Sequence, residues 1–100
     1  MSTNSIGFSK PKETKIINGD PVVISDMVVH TFDVVEEDVA IFAAEHLWEW
    51  ETSEEGQWVM ENAVETPWWS SMPGVVQYSC VIVARLTEKD QTYFNLRWRK

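Results

Sequence analysis

The segment VVQYSCVIVARLTE, Val75 to Glu88, constrains the fold more than any other part of this chain. Side chains of an extended backbone alternate between faces, so Val76, Tyr78, Cys80, Ile82, Ala84 and Leu86 point one way. Val81 and Val83 make the middle of the opposite face apolar as well. That pattern belongs to a strand in the interior of a sheet, which needs a strand on each edge and cover above it.

The neighbouring segments offer the partners. In KIINGDPVVI, Asn18-Gly19 separates two short β-branched runs, and both residues tolerate the positive φ of a type I′ hairpin turn. Pro21 limits the start of the following strand to an edge or a bulge. MVVHTFDV, Met27 to Val34, reads as a strand with Val28, His30, Phe32 and Val34 on one side. TYFNLRWRK reads as the last strand, following a turn at Lys89-Asp90-Gln91. Its alternation places Phe94, Leu96 and Trp98 inward, with Tyr93, Asn95, Arg97 and Arg99 outward.

Two helices are predicted. Asp33 opens D-V-V-E, a capping-box spacing, and Glu36, Glu37 and Asp38 suit a first turn. Val35, Val39, Phe42, Ala43 and His46 recur at helical spacing, so the first helix spans about Val35 to Leu47. LWEWE then alternates with a strand-like period and is expected to be extended, with Trp48 and Trp50 on one side. A second capping signal, Thr52 to Glu55, opens the helix EEGQWVMENAV. Gly56 costs this helix about 1 kcal/mol relative to Ala, and is expected to admit a close neighbour. Thr66-Pro67 ends it, and Trp68 to Gly74 reads as a loop. The sum is an α+β fold, with an antiparallel sheet of three or more strands and two helices packed on one face. Residues 1–13 read as a mobile arm, within which Phe8 is the one anchor candidate, and residues 14–100 as one domain.

Charge and aromatics are unevenly spread. The net charge is -8, and all eight basic residues lie outside positions 16–84. Such a field disfavours nucleic acid and anionic membranes and favours a basic partner. The stretch His46 to Trp69 holds five of the six tryptophans and no Lys or Arg. Helix starts and a solvated face account for most of the acids. Trp58 and Trp98 are expected in the core. For Trp48, Trp50, Trp68 and Trp69, core filling competes with an aromatic anchor inside an acidic rim, which is interface composition.

No chemistry is named. His30 and His46 sit on apolar faces, where a partly buried, locally bonded histidine is the commoner case. Cys80, the only cysteine, reads as a small buried hydrophobe. No phosphate loop, nucleophile–base motif or metal-ligand spacing is present. Neither catalytic, cofactor-binding nor metal residues are assigned. No signal-peptide core occurs, and no apolar run approaches the roughly 20 residues of a membrane span.

The series VVHTFDV, WEWETSEEGQWVMENAVETPW and ARLTEKDQTYFNLRW resembles small proteins of T4-like tailed phages, notably those of marine cyanobacteria. The resemblance runs from about Val28 to Trp98. It implies a viral protein working in the host cytoplasm or in a virion, and brings no activity or functional residue with it. The expectation is a non-enzymatic acidic accessory protein that binds a basic host or phage protein. The candidate partner-binding residues are Trp48, Trp50, Trp68, Trp69, Glu49, Glu51, Glu54 and Glu55. A virion or assembly component that self-associates through its basic C-terminal edge (Arg97, Arg99, Lys100) is the alternative.

Overall fold

Tyr78 to Thr87 of the VVQYSCVIVARLTE segment form an interior strand, whereas Val76, expected on its inward face, precedes it and is 78% exposed. In the computed structural model, which describes residues 11–35 and 38–99, the elements follow in a mixed order. They are β1 (Glu13–Ile17), β2 (Asp20–Val34), α1 (Val39–Thr52), α2 (Glu54–Asn62), β3 (Trp68–Pro73), β4 (Tyr78–Thr87) and α3 (Glu88–Trp98). Residues 1–10, Glu36, Glu37 and Lys100 lie outside the described residues, and with them most of the expected arm, Phe8 and two acids of the expected first turn; the third, Asp38, precedes α1, whose first turn holds no acid.

Among the described residues the sheet has four antiparallel strands in the order β1-β2-β4-β3. With partners on both edges, β4 is buried on both faces: Ile82, Val83, Ala84, Arg85 and Leu86 are each no more than 3% exposed. The Asn18-Gly19 turn has φ 53° and 84°, the positive pair its sequence predicts. Pro21 pairs with Ile16 at the hairpin end, beyond the β4 ladder, which starts at Ile24. Its missing N–H therefore interrupts no pairing with β4.

A bulge divides β2. Val28 pairs with Val83 but His30 pairs with Ile82, leaving Val29 as the extra residue. His30, Phe32 and Val34 thus share a face with Ile82, Cys80 and Tyr78, whereas Val28 turns to the other face. Val29 is 3% exposed and joins the main core. That core unites Ile82, Ala84 and Leu86 of β4 with Trp50 of α1, Val59 of α2 and Phe94 of α3. A smaller cluster joins Val34, Ala43 and Cys80.

On the face of Val83, the buried Arg85 guanidinium ties three segments together. It donates to Asp26 Oδ1 (2.9 Å), Glu13 Oε1 (3.1 Å) and the Pro11 carbonyl (2.6 Å). Burial alone would lower its pKa, but the hydrogen bonds and charges of Asp26 and Glu13 outweigh that and hold it above its ordinary value.

Four expectations are corrected. TYFNLRW is helical, so the last expected strand is α3 and the helices number three among the described residues. The Thr87 hydroxyl accepts from the Asp90 N–H (3.2 Å), an N-cap that starts the helix where a turn was expected. Phe94 is buried and Trp98 half-buried, one helical turn apart, while Leu96 is 71% exposed. Asp33 does not cap a helix: it continues β2 opposite Ser79, and α1 begins only at Val39. Cross-strand pairing overrides the local capping signal. LWEWE completes α1 rather than leaving it, so Trp48 and Trp50 point to different sides. Trp68 to Pro73 is an edge strand, not a loop.

The α1–α2 junction turns on Ser53. Its hydroxyl donates to the Trp50 carbonyl (2.6 Å) and accepts from the Gly56 N–H (3.0 Å), so one side chain closes one helix and opens the next. Thr52, the expected cap, is the last residue of α1 and bonds back to the Trp48 carbonyl (2.9 Å). A Cβ on Gly56 would stand 1.7 Å from the Trp50 carbonyl oxygen. The close neighbour is therefore backbone, not an indole ring.

Candidate functional site

Where α1 and α2 pass β2 and the end of α3, an open groove of about 530 Å³ forms. Three acids from the helices line it, Glu49, Glu54 and Glu55, together with His30, His46, Trp50, Ser53 and Trp98. Each residue arrives for a local reason. The β2 bulge turns His30 to the face of Ile82. The Ser53 cap places Glu54 and Glu55 in the first turn of α2, where the helix dipole favours carboxylates. The helical setting of the C-terminal segment brings Trp98 to the groove.

Glu55 is the hub. Its Oε2 accepts the Trp50 indole N–H at 2.8 Å and lies 3.7 Å from His30 Nδ1. The two histidines are linked through rings: His46 stacks on Phe32 (4.8 Å between centroids), and Phe32 and Trp50 both flank His30 (6.2 and 6.3 Å). At the rim, Arg97 pairs with Glu54 while its guanidinium carbon lies 5.0 Å from the Trp98 ring. Arg99 donates to the Val28 carbonyl and lies over Phe94.

A second pocket, about 80 Å³, lies on the other side of Trp50. It is lined mostly by apolar groups, among them Leu47, Met60, Pro67, Trp69 and Ile82, with Glu51 and Trp68. The eight candidate partner residues thus divide among three places. Glu49, Glu54 and Glu55 line the groove, and Trp50 walls both cavities. Glu51, Trp68 and Trp69 line the smaller pocket, and Trp48 stands apart on α1, 65% exposed. Trp68 pairs with Val83 and Trp69 with Ile82, so the adjacent indoles leave β3 on opposite faces. Both are half-buried, and the Trp68 indole N–H is buried with no hydrogen-bond partner among the described residues.

Cys80 is not among the residues that line the groove. Cys80 is 1% exposed and pairs across the sheet with Phe32, while His30 pairs with Ile82. Burial pushes the Cys80 thiol pKa up, and Asp33 adds to the shift. Among the described residues no group of three or more His, Cys, Asp or Glu could hold a metal ion, and no helix is long and apolar enough to cross a membrane.

Sequence reasoning missed the meeting of His30, His46 and Trp98. The one available signal was that His30 and His46 both sit on otherwise apolar faces of consecutive elements. No protein-family model matches the chain, and neither a curated protein nor a solved structure is similar to it.

Proposed function

We propose that this chain is a non-enzymatic accessory protein that binds a basic protein partner through the acidic, aromatic surface of α1 and α2. The observation that carries the reading is the setting of Trp48. It is 65% exposed, with Ile41, 64% exposed, two turns earlier on the same face. Glu45 and Glu51 flank it at i−3 and i+3, and neither α1 nor α2 contains a Lys or Arg. A large, rigid indole flanked by carboxylates on two helices without a Lys or Arg combines a desolvated anchor with long-range steering of a cationic surface. Working in the host cytoplasm during infection by a tailed phage belongs to the same reading.

Affinity capture from phage-infected host extract at two salt concentrations tests it. The expected result is one protein held at low salt, weakened at high salt as surface charges are screened, and lost with Trp48→Ala. Capture that is unchanged by that substitution would overturn the reading.

Self-association, the mark of a virion or assembly component, stands second. Its support is β3, the terminal strand of the sheet among the described residues, whose six residues, WWSSMP, carry no charge to discourage pairing. The basic C-terminal edge gives it less support, because Arg97 and Arg99 are engaged within their own chain. Sedimentation at low salt and high concentration separates the two readings: a monomer removes the second.

A further inference from the structure

We infer that the groove between α1–α2, β2 and Trp98 is a receptor for a guanidinium group, the side chain of an arginine presented by the partner. This deepens the reading that the partner is basic and rests on it.

Two features of the groove favour this chemistry. The first is its walls: carboxylates from Glu49, Glu54 and Glu55 face an opening of about 530 Å³ that is also bounded by aromatic rings. The second is how the chain's own Arg97 behaves. Its guanidinium takes a groove carboxylate, Glu54, and at the same time lies 5.0 Å from the indole of Trp98. Arg97 is 44% exposed and Glu54 76%, so this contact occupies only the rim, and the volume beyond it is far larger than one guanidinium.

A planar, weakly hydrated cation suits such a site better than a compact ammonium. It can stack on a ring and fork to a carboxylate in the same pose, which lysine cannot do. An anion would meet three carboxylates, with only His30 and His46 to offset them, and is disfavoured. Arg97 then acts as a tethered competitor at the rim, and an incoming arginine exchanges with it at Glu54.

Nuclear magnetic resonance titration of the full chain tests this with three probes: N-acetyl-arginine amide, N-acetyl-lysine amide and the uncharged isostere N-acetyl-citrulline amide. The arginine probe is expected to give saturable shifts of the Trp50 and Trp98 indole N–H signals in the millimolar range. Lysine should bind more weakly, and citrulline should produce no saturable shift. Glu54→Gln should weaken arginine binding about fivefold, the scale of an exposed ion pair, and Arg97→Gln should tighten it. Both positions are exposed, so a thermal midpoint close to that of the parent confirms intact variants. Equal shifts from citrulline, no shifts at all, or weaker binding by Arg97→Gln would each overturn the inference. If the groove fails while partner capture still depends on Trp48, only this inference falls. If capture fails while the arginine shifts persist, the binding-protein reading falls instead.

Discussion

Gly56 holds the α1–α2 junction by what it lacks. Helix propensity alone predicts that Gly56→Ala gains about 1 kcal/mol. The geometry reverses the sign, because the new Cβ would stand 1.7 Å from the Trp50 carbonyl oxygen and neither backbone can yield cheaply. Gly56→Ala should therefore destabilise by about 1–3 kcal/mol, the range of overpacked sites, read as a lower urea midpoint. Cys80 gives a second test at this scale. Its folded pKa lies above the ordinary 9.0. Below that pH the thiol is neutral in both states and contributes no pH dependence. Above it, the unfolded thiol ionises while the buried one stays protonated. The Cys80 contribution thus erodes stability as pH rises past 9.0, and Cys80→Ala should flatten that part of the stability profile. Thiol-specific reagents should label Cys80 only on unfolding.

At the scale of elements, α3 separates two readings of the same letters. In TYFNLRW, Phe94, Leu96 and Trp98 fit a period of two, while Phe94 and Trp98 also fit a helical turn. Thr87-Glu88-Lys89-Asp90 ahead of them decides for the helix by capping it. Gln91 then pins the first turn to the sheet through Ser25 (2.8 Å). A strand would bury Leu96; the helix leaves it 71% exposed. Leu96→Glu should consequently change stability by no more than about 0.5 kcal/mol, whereas Phe94→Ala, at 0% exposure, should cost about 3–5 kcal/mol. Chemical denaturation of the two variants checks both. LWEWE misleads in the same way, since alternation across five residues cannot distinguish a strand from the last turn of a helix. By contrast, Asn18-Gly19 and the two-faced β4 were legible, because positive φ and burial on both faces each admit few alternatives. WWSSMP was not legible as a strand: its pairing with β4 is a long-range fact, and nothing local announces it.

Across the whole molecule, the segregation of charge could be read directly, but its destination could not. The sequence places Glu49, Glu54 and Glu55 in one acidic stretch, and the fold does gather them on one groove. Beyond the apolar setting of His30 it gives no sign that this residue of β2 and Trp98 of α3 complete that groove, since neither meeting is encoded by spacing. Nor could it tell Trp48 from Trp50, because a two-residue separation means the same face in a strand and different faces in a helix. That distinction carries the functional account. Trp50 is 5% exposed and belongs to the core, while Trp48 is 65% exposed and belongs to the proposed interface. The decisive measurement is a calorimetric titration of the captured partner against the parent chain and Trp48→Ala, with the thermal midpoint of each. The account predicts binding about tenfold weaker or worse, a loss of roughly 1.4 kcal/mol or more, with an unchanged midpoint. Equal affinity for the two chains would contradict it.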